Sequence, residues 1–146
     1  MANDKVCVFC GEKLGFFSTG GFTCGGVWQP VCKTCAAEVW ELSEVEQCRR
    51  ALKLGLALQP EQLEHFIALS EEAEARRPAC LRCGKKLKFL PMQRLDNTPL
   101  MDSLMASFFS VQPARCEGCG KLEFYDPDIL EKDPVMVQLI KTDTAE

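Results

Sequence analysis

Histidine is almost absent from this sequence, which has a single one, His65, among 146 residues. Proton transfer in a catalytic site usually needs at least two suitably placed groups, and no second histidine is present to complete such a pair with His65. We therefore expect His65 to be a surface or half-buried residue of a helix. Nothing else in the sequence suggests a catalytic site, so we predict that the protein is not an enzyme.

Long hydrophobic stretches are also missing. The apolar runs are far shorter than the roughly 20 residues that a membrane-spanning helix needs. The opening residues, from Met1 to Lys5, are mostly polar and lack the apolar segment of a secretion signal. We therefore expect a soluble, cytoplasmic protein without a membrane partner, in which cysteines stay reduced and are available to bind metal.

Positive charge is scarce as well. Seventeen Lys and Arg residues face 21 Asp and Glu residues, which gives a net charge of −4. Two zinc ions, each held by four thiolates, would bring the net charge to about −8, which argues against a general nucleic-acid binder. One basic stretch without acidic residues keeps nucleic-acid contact open as an alternative to a solvated strand face. Its residues are Arg82, Lys85, Lys86, Lys88 and Arg94.

Cysteine, in contrast, is abundant, with ten residues in the chain. Eight of them form four Cys-x-x-Cys pairs, and a glycine follows three of these pairs. Glycine allows the positive φ of the tight turn called a zinc knuckle, in which backbone N–H groups point at the two sulfurs. Two pairs supply the four thiolates that a tetrahedral zinc ion needs. The pairs are Cys7 and Cys10, Cys32 and Cys35, Cys80 and Cys83, and Cys116 and Cys119.

Four pairs can be distributed over two metal sites in three ways. The segment between the first and second pairs has 21 residues, and that between the third and fourth has 32. Closing a shorter loop costs less entropy, so we expect each metal site to be made from two pairs that are adjacent in sequence. A cross-braced arrangement would instead give one compact domain. We expect two zinc ions per chain, with iron as an alternative because four thiolates suit either metal. Site 1 then comprises Cys7, Cys10, Cys32 and Cys35, and site 2 comprises Cys80, Cys83, Cys116 and Cys119.

The predicted fold class is a small α+β protein stapled by metal, and residues 1–42 form its first module. A knuckle is followed by a glycine-rich stretch over residues 15–26, which predicts a loose hairpin. Residues 36–42 contain no turn former and predict a helix whose first turn carries the last two ligands. The dipole of that helix stabilises thiolates at its N-terminus. This order of elements predicts a treble-clef-like zinc module.

Residues 43–78 are predicted to be a helical connector. Ser43 begins a capping box, Gly55 marks the end of the first helix, and Pro60 is the favoured first residue of a second. The connector is either a spacer or a helical hairpin that packs on one of the modules. An apolar stripe along the second helix favours packing.

Residues 79–146 are predicted to be a zinc ribbon with an insertion and a tail. Short strands are expected after each knuckle, over residues 85–92 and 121–125. A Met- and Phe-rich insertion at residues 99–109 predicts a helical or flexible lobe that covers the sheet or binds a partner. The apolar run at residues 135–140 is expected to add a strand, within the chain or across a dimer.

Two cysteines, Cys24 and Cys48, lie outside the Cys-x-x-Cys pairs. Both are expected to be small buried hydrophobic residues. The alternatives are that Cys24 replaces one of the site 1 ligands, or that Cys48 acts as a ligand or a nucleophile.

Two segments resemble known bacterial families through their cysteine motifs. Residues 5–42 resemble a small bacterial domain family of unknown function that binds zinc through two such pairs. Residues 79–127 are similar to bacterial zinc-ribbon proteins that are often described as nucleic-acid-binding. The resemblance covers somewhat more than half of the chain and implies zinc binding, but it implies no particular activity.

Three functional hypotheses follow. The first is an interaction or adaptor module with two structural zinc sites and a protein partner, because four thiolates leave zinc no open position for catalysis. The second is nucleic-acid binding through the basic strand from Arg82 to Arg94. The third is thiol or redox chemistry, although the sequence shows no βαβ setting of the thioredoxin kind.

Overall fold

The computed structural model describes residues 5–15, 20–96 and 108–145. The chain divides into two compact units, Met1–Ser70 and Glu71–Glu146, called here the N-unit and the C-unit. The boundary falls within a helix. Across the described residues, no helix combines the length and apolar character needed to span a membrane.

A hairpin is the only strand pair in the described part of the N-unit. Strands β1 (Gly20–Cys24) and β2 (Val27–Val31) pair antiparallel, with Cys24 opposite Val27. Gly25 and Gly26 alone connect them, and both have positive φ, at 57° and 75°. A two-residue loop with positive φ at both positions matches the twist of the strands, which explains the glycine pair. The hairpin prediction is confirmed, and residues 16–19 lie outside the described part.

Three helices follow the hairpin: α1 (Lys33–Val39), α2 (Glu44–Leu52) and α3 (Pro60–Ala75). The Ser43 hydroxyl accepts a hydrogen bond from the Glu46 backbone N–H at 3.4 Å and caps α2 as predicted. Gly55 has a φ of 67° just after this helix, and its N–H donates to the Leu52 carbonyl. The start of α3 at Pro60 also agrees with the prediction.

The core of the N-unit lies between the hairpin and the helices. Cys48, Ala51 and Leu63 are completely buried and belong to the same apolar cluster as the hairpin residues. The Gln29 side chain, which is also fully buried, exchanges two 2.9 Å hydrogen bonds with the backbone of Leu58. The helical segment therefore packs on the hairpin, as its apolar stripe predicted.

The C-unit is built on a sheet whose central strand is β5 (Phe108–Cys116). It pairs antiparallel with β3 (Leu87–Phe89), β4 (Gln93–Asp96) and β6 (Leu122–Tyr125). Because Ala114 and Arg115 pair with both β3 and β6, these two strands lie on opposite sides of β5. Two helices follow, α4 (Pro127–Leu130) and α5 (Pro134–Thr144), and α5 packs near β3.

The strand prediction for residues 135–140 is wrong, because this run lies in helix α5. Asp133 caps the helix by accepting from the Val135 N–H at 3.0 Å, and Pro134 takes the first position. Val135 and Leu139, four residues apart, are both buried, which is the spacing of one helix face.

The Met- and Phe-rich insertion falls largely outside the described residues, which omit 97–107. Its last two residues, Phe108 and Phe109, belong to strand β5 and not to a helix. The sequence prediction did not include this central strand.

A buried ion pair links helix α5 and strand β3 to the segment that follows α3. Arg77, just after α3, donates to the Asp143 carboxylate of α5 at 2.6 and 2.8 Å, and both side chains are nearly buried. Arg77 also donates to the Leu87 carbonyl, and the Phe89 N–H donates to Asp143. The pair thus satisfies backbone groups at both ends of β3, and it anchors the strand that follows the first knuckle of site 2.

Candidate metal centres

The first pair of site 1 forms a knuckle at residues 7–11. The Cys7 N–H donates to the Glu12 carbonyl at 2.8 Å, and the Gly11 N–H donates to the Cys7 carbonyl at 2.9 Å. Gly11 has a φ of 74°, which a residue with a side chain would adopt at a cost. A bridge between Val6 and Lys13 closes the base of the turn. This local geometry turns both sulfurs to one side.

The second pair of site 1 begins helix α1. Cys32 is the N-cap, and its sulfur accepts a hydrogen bond from the Cys35 backbone N–H at 3.5 Å. The Cys32 carbonyl also accepts from Ala36 at 2.9 Å, so the helix begins at this ligand. A sulfur at this position caps the helix in the manner of an Asp or Ser side chain. No glycine follows this pair because a helix, and not a knuckle, continues the chain.

The four site 1 sulfurs all lie within 4.8 Å of one another. Cys10 and Cys32 Sγ are 3.9 Å apart. Burial opposes ionisation of Cys7, but backbone N–H groups of Cys32, Phe9 and Cys10 outweigh it and lower the pKa of Cys7 to about 7. Burial, together with the sulfurs of Cys32, Cys10 and Cys7, raises the pKa of Cys35. One thiolate therefore forms readily, and a bound cation would be needed to hold four together.

Site 2 is built from two knuckles with the same hydrogen bonds. The Gly84 N–H donates to the Cys80 carbonyl, and the Gly120 N–H donates to the Cys116 carbonyl, each at 2.8 Å. Both glycines have a φ of 72°, close to that of Gly11 in site 1. The second knuckle joins β5 to β6, so the central strand of the sheet positions Cys116.

The site 2 sulfurs also lie within 4.8 Å of one another. Cys80 and Cys119 Sγ are 3.7 Å apart, and Cys83 and Cys116 Sγ are 3.4 Å apart. The Cys119 N–H outweighs burial and lowers the pKa of Cys116 to about 6. The Lys85 N–H favours the Cys83 thiolate, but the Cys116 sulfur and burial together raise the pKa of Cys83 to about 11.

These distances test whether the sites fit a metal ion. A tetrahedron with zinc–sulfur bonds of about 2.3 Å places its sulfurs about 3.8 Å apart. The three Sγ–Sγ distances given above, 3.4 to 3.9 Å, agree with it, whereas the two sulfurs of a cystine would be about 2.05 Å apart. All ten cysteines are free thiols. Both four-cysteine groups can therefore hold a metal ion, and each is made from adjacent pairs in one unit, which excludes the cross-braced arrangements.

Positive side chains lie close to both centres, and the sequence prediction named only some of them. A cavity of about 300 Å³ beside site 1 is lined by Cys10, Cys35, Arg50 and Lys53, among other residues. Arg50 also approaches Glu38, with 3.8 Å between Nη1 and Oε2. These two cations offset part of the negative charge that four thiolates would carry. Only the fold brings them to the site, because they lie on α2 and at its C-terminal cap.

At site 2 the aliphatic part of Lys85 covers the second knuckle. A β-carbon placed on Gly118 would lie 2.3 Å from Lys85 Cδ, so a side chain at position 118 would displace this lysine. Glu123 of β6 accepts from the Leu81 backbone N–H, the Lys121 ammonium and the Tyr125 hydroxyl. The Lys121 ammonium is the main cause of the lowered pKa of Glu123, and the other two hydrogen bonds act in the same direction. The contact with Leu81 ties β6 to the first knuckle.

The residues predicted for nucleic-acid contact are divided among different elements. Arg82 is exposed in the first knuckle, and Lys85 lies over the second. Lys86 forms a 2.8 Å ion pair with Glu74. Lys88 pairs in register with Arg115 on β5, and Arg94 pairs with Ser110 further along that strand. The basic stretch is therefore partly used for contacts within the C-unit.

Comparison with protein-family models, curated proteins and solved structures found no match to this chain. The bacterial-family resemblances of residues 5–42 and 79–127 therefore stay predictions, and the assignment of the two centres depends on the geometry of their eight cysteines.

Proposed function

We propose that this protein is an interaction or adaptor module whose two units are each stapled by a structural zinc ion. The observation that carries the proposal is the pair of complete four-sulfur groups, one in each unit. When bound, zinc would supply folding free energy to units that are small for a stable apolar core. Cys7, Cys10, Cys32 and Cys35 would hold one ion, and Cys80, Cys83, Cys116 and Cys119 the other.

The surrounding elements support specific zinc folds. In the N-unit a knuckle, a hairpin and a helix that begins at Cys32 follow the order of a treble clef. In the C-unit two knuckles are followed by short strands of one sheet, as in a zinc ribbon. Both folds occur in proteins of many functions, so they support a structural role for the metal and leave the partner open.

Four thiolates also argue against catalysis. A zinc ion with four protein ligands has no position for water or substrate, so Lewis-acid hydrolysis is disfavoured. We therefore propose a non-enzymatic role, in which surfaces of the two metal-stabilised units bind a partner.

One such surface lies on the C-unit. Leu122 and Phe124 alternate along β6 and so lie on the same side of this strand, where they are 48% and 59% exposed. Large apolar side chains grouped on an exposed sheet are typical of protein contacts. This surface supports the adaptor proposal, with a protein as the partner.

The experiment that tests the proposal is cobalt substitution. Co²⁺ bound by four thiolates in a tetrahedron has a characteristic visible spectrum and sulfur-to-metal charge-transfer bands. We expect this spectrum from both sites, unchanged by added azide or cyanide, because no coordination position is open. A spectrum that shifts with added ligand would show an open, reactive metal and contradict the proposal. Iron in the purified protein would be seen directly by its colour.

A second candidate function is nucleic-acid binding by the same sheet. Lys88 and Arg115 are cross-strand partners, and Leu122 is the partner of Arg115 on its other side. Phe124 is exposed on the same strand as Leu122. Exposed aromatic residues beside cations bind single-stranded nucleic acid, because the bases stack on the ring and the cations attract the phosphates. Binding that falls steeply with salt and is lost on changing Lys85, Lys86 and Lys88 to Glu would support it. Binding that is insensitive to salt or to these changes would reject it.

The third hypothesis, thiol or redox chemistry, needs cysteines that are not metal ligands. The C-unit contains no such cysteine, since its four are all members of site 2. The N-unit contains two, Cys24 and Cys48.

A further inference from the structure

The two cysteines outside the metal sites meet in the core of the N-unit. Cys24 ends strand β1, and Cys48 lies in the middle of helix α2, which packs on that strand. A β-carbon placed on Gly25 would lie 3.4 Å from Cys48 Sγ, so this sulfur packs against the residue that follows Cys24. Both side chains are completely buried within one apolar cluster.

The pair is separate from site 1. Neither sulfur belongs to the four-cysteine group, whose members come from the knuckle and from the start of α1. Residue spacing gave no sign of the pair, because 23 residues separate the two cysteines. Only the packing of α2 on the hairpin brings them together.

The two thiols are not equivalent. Cys48 donates its hydrogen bond to Cys24, and this bond outweighs burial and the nearby Glu44 carboxylate, so the pKa of Cys24 is lowered. The same contact, with burial, raises the pKa of Cys48. Cys24 is thus the sulfur better prepared to attack, and Cys48 is the one that keeps its proton until later.

We propose that Cys24 and Cys48 form a dithiol–disulfide pair, independent of the metal centres, that is oxidised by a small disulfide such as oxidised glutathione. The Cys24 thiolate attacks one sulfur of the small disulfide, forms a mixed disulfide and releases one small thiol. The Cys48 thiolate then attacks the Cys24 sulfur and releases the second small thiol. Two electrons pass to the oxidant, and the two cysteine protons end on the two small thiols.

Access to the buried pair is through the hairpin turn. Gly25 and Gly26 form this turn, and Gly26 is exposed. The turn is held on α2 by a 2.9 Å hydrogen bond from the Gly25 N–H to Glu44 Oε1. Local opening at this contact would uncover the two sulfurs. The resulting disulfide joins β1 to α2 and encloses residues 24–48, which include the second ligand pair of site 1, Cys32 and Cys35.

The test uses the full chain with both metal sites filled. The protein is incubated in glutathione buffers stepped from reduced to oxidised, and each quenched sample is divided in two. Native mass spectrometry of one part gives the intact mass and the metal content, and the other part is denatured, alkylated and peptide-mapped. We expect a loss of about 2 Da with the metal retained, because the disulfide removes two hydrogens. Peptide mapping is expected to find Cys24 linked to Cys48.

The variants C24A and C48A serve as controls, because alanine preserves a small apolar side chain at each buried position. Each is expected to bind the same amount of metal as the wild type and to show no loss of 2 Da. If a variant does not fold, peptide mapping of the wild type still decides. The proposal is overturned if oxidation links only ligand cysteines with loss of metal, if it stops at a glutathione adduct, or if it does not occur.

Discussion

Removing one ligand from a single site is expected to unfold only the unit that contains it. Cys35 and Cys119 are matched for this purpose, because each is the last ligand of its site and each is half-buried. Serine is a poor zinc ligand by comparison, since its hydroxyl does not ionise near neutral pH. C35S is expected to unfold the N-unit, and C119S the C-unit.

The expected magnitude follows from the size of the C-unit core. Its large side chains that are completely buried are Phe89, Leu87 and Leu139 among the described residues. At about 2 kcal/mol each they contribute roughly 6 kcal/mol. A structural zinc site contributes about 10–16 kcal/mol, and net stabilities are only about 5–15 kcal/mol. Loss of the metal therefore outweighs the apolar core, and the unit is expected to be unfolded at 25 °C.

The aromatic residues allow each unit to be followed separately. Both tryptophans, Trp28 and Trp40, lie in the N-unit, and the single tyrosine, Tyr125, lies in the C-unit. C119S is expected to keep the tryptophan emission of the wild type while losing the dispersed amide NMR signals of the C-unit and one metal ion. C35S is expected to do the reverse. Loss of both units in either variant would refute the reasoning that each site staples its own unit.

Two further predictions concern the framework around the sites. D143A removes the buried partner of Arg77 and leaves its charge facing only the half-exposed Glu74, at 2.8 Å, so we expect a loss of about 3 kcal/mol in the C-unit by chemical denaturation, while the double variant R77M/D143L recovers most of it; equal losses in both would contradict the ion-pair account. G25A and G55A both place alanine at positive φ, at 57° and 67°, which costs about 1 kcal/mol. Only G25A also crowds Phe66, whose Cβ would lie 3.2 Å from the new β-carbon, so we expect it to lose about 1–3 kcal/mol more than G55A. Equal losses in the two variants would show that this contact is not tight.

The sequence predicted the local parts of this fold well. Knuckles, caps and the hairpin depend on residues within a few positions of one another. Gly11 therefore predicts the first knuckle, Ser43 the cap of α2 and Pro60 the start of α3. The assignment of ligands to sites followed from short spacers, and the four-sulfur groups of the structure agree with it.

The sequence did not predict features that depend on distant partners. Strand β5 contains Pro113 and Gln112 and lacks regular alternation, and it becomes a strand because β3 and β6 pair with both sides of it. The apolar run at residues 135–140 is too short for its periodicity to distinguish a strand from a helix. Asp133 as the N-cap and Pro134 at the first position favour the helix. The Cys24–Cys48 contact and the cations near site 1 arise only when α2 packs on the hairpin.

The metal content of the purified protein tests the central claim most directly. Elemental analysis and native mass spectrometry of the same sample give the number and identity of bound ions per folded chain. The account predicts two zinc ions per chain, together with loss of helicity and of NMR dispersion in both units when a chelator removes them. A folded chain that binds no metal, or whose eight ligand cysteines are linked as cystines, would contradict it.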